Sequence, residues 1–269
     1  MGQLKTTALA PDQKGSLSVR SVSLVYRSGR QSVQALSDVS FEVKPNEFTV
    51  IVGPSGCGKS SLLYLAAGLH EVTEGEILVN GRRVEGPGAD RGMVFQSYTL
   101  FPWLTVRSNV EYGLRRKAMV PAARKEIVDR YLTEIGLSAF ADHYPRQLSG
   151  GMMQRVAIAR ALANDPDILL MDEPFGALDS QTRQIMHRLL LRVWEHTQKT
   201  VAFVTHDIDE AILLGDRVLV MTARPGRIKA GIAIDISRPR DPAIVLEPDF
   251  IALKRRIIDL LRDEIDEEH

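Results

Sequence analysis

Apolar residues in this chain fall into short consecutive runs separated by polar turns rich in glycine and proline. Leu17–Tyr26, Val39–Val43 and Glu47–Val52 read as β-strands. In the last, Phe48, Val50, Ile51 and Val52 give the near-continuous pattern of a strand buried on both faces. That strand runs into a glycine-rich loop and then a helix over Lys59–Leu69; Gly75–Val79 and Gly92–Phe95 are further short strands. Between about Ser97 and Ala163 the pattern turns helical. Val128, Leu132 and Ile135 recur at helical spacing within Ala122–Leu137, behind Pro121, which a first turn tolerates. A second helix follows Leu148-Ser149-Gly150-Gly151 and runs to Ala163. Asp167–Met171 and Thr200–Val204 are again buried strands, joined by a helix with Ile185, Leu189 and Val193 on one face, and Arg217–Met221 is another strand. Strands alternating with helices predict an α/β fold, a parallel sheet covered on both sides. The expected organisation is a polar, flexible arm (1–16), a main domain (17–238) with a helical subdomain inserted at about 98–163, and a C-terminal helical extension (239–269). The extension comprises a proline-rich turn, a helix over Asp249–Leu261 and an acidic end, Asp263–Glu268, read as a solvated terminus.

Composition narrows the class. The 269 residues are 44% hydrophobic and 25% charged, an ordinary globular mixture. Lys plus Arg and Asp plus Glu are each 34, so the formal net charge is zero, which disfavours a nucleic-acid binder. One cysteine excludes an intrachain disulfide and a multi-cysteine zinc site, and fits a reducing compartment. No apolar run approaches the ~20 residues of a membrane span, and the first residues lack a signal peptide's apolar stretch. A soluble cytosolic chain is expected, one that can still sit on a membrane partner.

Two motifs carry chemistry. Gly53-Pro54-Ser55-Gly56-Cys57-Gly58-Lys59-Ser60 fits the phosphate-binding pattern G-x-x-x-x-G-K-[ST], with a strand before it and a helix after. Glycines let successive N–H groups turn inward on phosphate oxygens, and the helix N-terminus adds partial positive charge. Lys59 reaches the β- and γ-phosphates, and the Ser60 hydroxyl can ligate Mg²⁺. The glycine order differs from the dinucleotide pattern G-x-G-x-x-G. The second motif is an apolar strand delivering Asp172 and Glu173 at its end: Asp172 to hold Mg²⁺, Glu173 to polarise an attacking water. Cys57 reads as a small loop residue, with Lys59 and the helix N-terminus placed to lower its thiol pKa and make it alkylatable.

Further segments carry a family likeness. Leu148-Ser149-Gly150-Gly151-Met152, ahead of the acidic strand, resembles the signature sequence of ABC-transporter ATPases. Gln96 matches the family's Q-loop glutamine, Ala177-Leu178-Asp179 its D-loop, His206 its switch histidine, and Tyr26 the aromatic that stacks on adenine. Phe101-Pro102-Trp103-Leu104-Thr105-Val106, the run from Met171 to Asp179 and Arg224-Pro225-Gly226-Arg227 are similar to the nitrate/sulfonate/taurine import branch. Met152 departs from the wider family's glutamine. Ser61 stands where threonine is common, a small change expected to face away from the phosphates.

The resemblance implies a RecA-like P-loop NTPase core with an antiparallel β subdomain. It also implies a head-to-tail pair, with itself or a homologous ATPase, holding two ATP with Mg²⁺. Each nucleotide would lie between one subunit's Tyr26 and Gly53–Ser61 and the other's Ser149, Gly150, Gly151 and Asp179, with Gln96 beside the Mg²⁺ and water, and His206 sensing the γ-phosphate. Transmembrane permease subunits would dock near Gln96–Val106, and a periplasmic or lipid-anchored solute-binding protein would act indirectly. The site of action would be the cytoplasmic face of a bacterial plasma membrane. Two other readings stay open: a soluble ABC ATPase of nucleic-acid repair or translation, and a P-loop small-molecule kinase. Tyr26 and Trp103 each also admit a plain core role.

Overall fold

A computed structural model describes residues 14–29 and 31–266. In order they form β1 (Leu17–Ser28), β2 (Gln31–Val43), β3 (Phe48–Val52), α1 (Lys59–Ala67), β4 (Glu74–Val79), β5 (Arg82–Arg83), β6 (Arg91–Val94), α2 (Val106–Glu111), α3 (Pro121–Glu134) and α4 (Gly150–Ala163). There follow β7 (Ile168–Asp172), α5 (Ser180–Thr197), β8 (Thr200–Val204), α6 (Ile208–Leu214), β9 (Arg217–Met221), β10 (Ile228–Ala233) and α7 (Pro248–Asp266). One sheet runs β2-β1-β4-β5 and is antiparallel; the other runs β10-β9-β3-β8-β7-β6, parallel except for β10.

Every residue of β3, β7 and β8 is buried, because the parallel sheet has a separate core on each face. Phe48, Val50, Val52, Leu169, Met171 and Phe203 pack with residues of α4, α5 and α6. Ile51, Ile168, Leu170, Ala202 and Val204 turn the other way, towards α1 and the antiparallel sheet. The alternation follows from the pleat, which sends neighbouring side chains to opposite faces. Parallel strands share a direction, so Val52, Val94, Asp172 and Val204 all end at one edge, and the loops beyond them meet there.

The helix joining β7 to β8 presents a different face from the one its apolar spacing suggests. Met186, Leu190, Leu191, Val193 and Trp194 are buried, while Ile185 is exposed and Leu189 only half-buried. The stripe is turned by about one position because Trp194 packs edge-on against Phe48 at 5.8 Å and donates its indole N–H to the Lys199 carbonyl at 2.7 Å. The strand over Val39–Val43 extends back to Gln31. Its first four residues are all exposed and carry no apolar alternation, so only their pairing with β1 makes them a strand. Most of the expected N-terminal arm, residues 1–13, and residues 267–268 of the acidic end lie outside the described residues. Gly15, within the expected arm, is buried, and its N–H donates to Asn80 Oδ1 at 2.6 Å.

The C-terminal segment is joined to the core through Arg240, a buried arginine whose guanidinium donates to the carbonyls of Ile212, Leu213, Gly215, Ile234 and Ile236. Burial, and then the nearby Arg238 charge, lower its pKa to about 10, so it stays charged at neutral pH. Beyond it, Phe250 and Ile257 seat α7 in the core, and Lys254 pairs with Asp209 at 2.7 Å. Arg240→Ala leaves these carbonyls without a donor and is expected to destabilise the fold by on the order of 3 kcal/mol. Arg240→Lys should not restore stability, because an ammonium has three donors and no planar reach. Chemical unfolding of both variants is the check; wild-type stability in either contradicts the role.

Candidate active site

The buried strand β3 delivers the chain at Val52 into the loop Gly53–Gly58, and α1 starts at Lys59. The loop can curl because Gly56 and Gly58 hold φ of +78° and +102°, a region that L side chains rarely adopt. Lys59 is only 5% exposed. Its ammonium donates to the carbonyls of Gly53 and Pro54, both at 2.8 Å, and no carboxylate among the described residues pairs with it. A buried cation satisfied by neutral carbonyls leaves a net positive charge at the head of a helix, the setting for an anion. The loop opens on a cavity of about 490 Å³ bordered also by Tyr26, Ser61, Glu173 and Arg224, a size suited to a small-molecule ligand.

Tyr26 is 41% exposed, so the core reading of this residue fails. Its hydroxyl bonds to Ser61 Oγ at 3.0 Å. Ser61 lines the same cavity, its hydroxyl engaged with Tyr26.

Across the sheet, β7 brings Asp172 to a buried position beside Ser60, whose Oγ donates to Oδ1 at 2.8 Å. Burial pushes the Asp172 carboxyl above its ordinary value, outweighing the hydrogen bonds from Ser60 and Tyr64. Burial and the Asp172 charge together lift the Tyr64 hydroxyl to about 12. Glu173 sits at φ +41°, an unfavourable backbone conformation for a glutamate, worth ~1–3 kcal/mol. Its N–H is tied to the Val204 carbonyl at 2.9 Å, and Oε2 lies 3.1 Å from His206 Nδ1. This fixes acid and histidine as one unit at the cavity's edge. Gln96 is exposed just beyond β6, the strand paired with β7, and lies outside the cavity wall.

The remaining motif residues are elsewhere. Ser149 caps α4, accepting from the Met152 N–H at 3.4 Å, and Gly150 and Gly151 form the first turn. Asp179 caps α5, accepting from the N–H groups of Gln181 and Thr182 at 3.1 and 3.0 Å. Ser149 and Asp179 are exposed, and all four residues lie outside the phosphate-loop cavity of their own chain.

The expectation for Cys57 is corrected. The thiol is buried, and burial pushes its pKa up more than the Lys59 charge brings it down, so it is a poor nucleophile. Sequence reasoning gave no role in the site to Tyr64, one helical turn after Ser60, or to Arg224, from a loop distant in sequence. The i, i+4 spacing from Ser60 to Tyr64 was a usable signal for the first; Arg224 was marked only by the Arg224–Arg227 run likened to the import branch, which does not say where the side chain goes.

A strand, phosphate loop and helix, with an acidic pair at the end of β7, one strand removed from β3 across β8, define a P-loop ATPase. Residues 36–176 match the ABC transporter family, and the chain belongs to it. Its relatives include an ABC transporter ATP-binding protein of Methanocaldococcus jannaschii, 51% identical over 94% of this chain and 93% of the relative. The nitrate import ATP-binding protein of Synechocystis sp. is 46% identical over 94% of this chain and 97% of its own. The taurine import ATP-binding protein of Pelagibacter ubique is 43% identical, with coverage of 90% and 93%. Among solved structures, a dimeric post-hydrolysis ATP-binding cassette bound to ADP and phosphate superposes with a TM-score of 0.72. It is 37% identical and covers 82% of this chain and all of that one. The chain is an ABC ATPase cassette with the P-loop NTPase fold.

The raised Asp172 carboxyl has a measurable consequence. In folded protein it keeps its proton to higher pH than in the unfolded chain, so stability falls as pH rises through that interval. Without nucleotide, Asp172→Asn is expected to melt above wild type at neutral pH, the gap closing at acidic pH where both states are protonated. Melting curves across pH test this; a lower melting point at neutral pH contradicts it.

Proposed function

We propose that this chain is the ATP-hydrolysing subunit of an importer of the nitrate/sulfonate/taurine type, working as a head-to-tail pair with two ATP between the subunits. The observation that carries this reading is the division of the motifs. Tyr26, the phosphate loop and Glu173 share one cavity, while Ser149 and Asp179 are exposed outside it. A second copy would bring its own Ser149, Gly150 and Gly151 to complete the site, its helix N-terminus turned on the γ-phosphate.

In the proposed reaction Tyr26 takes the adenine ring, and Lys59 with the loop N–H groups holds the β- and γ-phosphates. Ser60, Asp172 and Gln96 would hold Mg²⁺. A carboxylate and a hydroxyl beside nucleotide phosphates suit its preference for oxygen ligands, and the ion would offset phosphate charge. Glu173 takes a proton from water as the water oxygen bonds to the γ-phosphorus and the bond to the ADP oxygen breaks. His206, joined to Glu173, orients that carboxylate towards the water.

Coupling to transport would use a second cavity, about 610 Å³, beside Phe95, Phe101, Tyr112 and Arg160. Trp103, its ring 5.6 Å from that of Phe101, is 71% exposed, which removes the core reading. The loop carrying it is held by the fully buried Asn109. Its Oδ1 accepts from the Phe101 N–H at 2.9 Å, and its Nδ2 donates to the carbonyls of Phe101, Leu104 and Thr105 at 3.0–3.2 Å. A rigid aromatic projection beside a groove suits a short helix of a membrane permease subunit. No helix among the described residues is long and apolar enough to cross a membrane, so association would run through that partner at the cytoplasmic face. The solute-binding protein would act on the permease and not on this chain.

Glu173→Gln keeps the shape but removes the proton acceptor. ATP binding should persist, hydrolysis should fall ~10²-fold or more, and an ATP-bound dimer should accumulate; turnover near wild type defeats the assignment. Trp103→Ala should melt within about 0.5 kcal/mol of wild type, as an exposed substitution does, yet lose co-purification with membrane partners, since such anchors contribute ~2 kcal/mol or more. Unchanged assembly would dismiss the docking surface.

A further inference from the structure

The nucleotide cavity has a wall that the phosphate-loop motif does not supply. Between β9 and β10 the chain turns through Thr222–Arg227 and folds back on β2. The Gly226 N–H donates to the Ala35 carbonyl at 2.9 Å, its carbonyl accepts from the Ser37 N–H at 3.0 Å, and Arg227 Nη2 donates to Ser37 Oγ at 3.0 Å. A Cβ on Gly226 would lie 2.1 Å from the Cys57 carbonyl oxygen, so only glycine permits this approach to the phosphate loop. The turn thereby sets Arg224 at the crest of that loop, where Nε and Nη2 donate to the Gly56 carbonyl at 3.3 and 3.1 Å.

The guanidinium has no carboxylate partner among the described residues. It borders the same cavity as Lys59, which has none either, and the carboxylate on that wall is Glu173, already engaged with His206. Two cations against one carboxylate in so small a volume repel each other until an anion enters. Two of the five guanidinium N–H groups serve Gly56, which leaves the Nη1 pair and one on Nη2 for a ligand.

We propose that Arg224 is a nucleotide-binding residue of this cassette, donating to the phosphates of bound ATP while its grip on the Gly56 carbonyl holds the crest of the phosphate loop in its binding shape. The inference rests on the reading that this cavity holds ATP. A guanidinium suits the role because its fork serves a carbonyl and a phosphate at once, and charge-assisted bonds are the stronger kind.

Titration calorimetry of the full chain with ATP and Mg²⁺ tests it on wild type, Arg224→Ala, Arg224→Gln, Arg224→Lys and, as a control for the cavity, Lys59→Ala. Ala and Gln should each weaken ATP binding about tenfold or more, Lys should retain most of it, and the fall of affinity with added salt should be shallower without the charge. Wild-type affinity in Arg224→Ala, with Lys59→Ala impaired, overturns the inference and leaves the ATP site standing. Recovery by Gln but not Lys also overturns it, assigning Arg224 to the loop alone. If wild type binds no ATP, the reading of the cavity itself falls, and this inference with it. Should Arg224→Ala fail to fold, the Gln and Lys variants decide, since both keep a donor for Gly56.

Discussion

A buried ammonium that meets two backbone carbonyls and the Cys57 sulfur, with no carboxylate paired to it among the described residues, is the constraint around which this molecule is arranged. Lys59 cannot be neutralised from within, and its burial depends on a loop whose shape requires left-handed glycines. That loop in turn needs a strand fixed on both faces, so β3 lies within the parallel sheet, flanked by β8 and β9. The same edge holds Asp172, whose carboxyl burial pushes above its ordinary value, and Glu173, held in an unfavourable conformation. Charge and strain that weaken the free protein are concentrated where a nucleotide and a cation would relieve them, the usual opposition between stability and function.

Rigidity around the site comes from contacts between segments far apart in sequence. A Cβ on Gly150 would lie 2.6 Å from the Tyr98 hydroxyl, and one on Gly151 would lie 2.5 Å from Thr182 Cγ2. The signature glycines thus pack against the segment after Gln96 and the first turn of α5. Arg183 adds a link, donating to the Leu178 carbonyl at 3.0 Å and to Asp207 at 3.3 Å, beside His206. Loops that would face a second subunit are therefore braced against those around Glu173 and His206, and a displacement at one is passed on through packed atoms.

What the sequence revealed follows from how local each signal is. The strands β3, β7 and β8 were legible as unbroken apolar runs because burial on both faces leaves no polar position. The phosphate loop was legible because its geometry demands fixed residue types at fixed spacing. Short elements such as α2, α6 and β10 went unread: six or seven residues carry too little periodicity, and Asp207 capping α6 reads as an ordinary polar residue beside His206. The face of α5 was misread in part: Val193 is buried, but Ile185 and Leu189 are apolar too, and only Phe48, from another strand, selects Trp194's side over theirs. Arg240 and Arg224 bond to carbonyls, groups every residue has, so nothing in the sequence marks their partners.

The Asn109 brace beneath Trp103 bears on how such subunits could be exchanged between assemblies. If a membrane partner covers it as proposed, a ring on a loop whose backbone is already fixed by hydrogen bonds would bring little further loss of backbone freedom on association. The same backbone stiffness would limit accommodation: a partner helix misplaced along this loop would meet a backbone that does not follow it. Compatibility between this cassette and a foreign membrane partner would then be decided by shape at first encounter, and divergence would have to be written into the partner's helix before this loop could change.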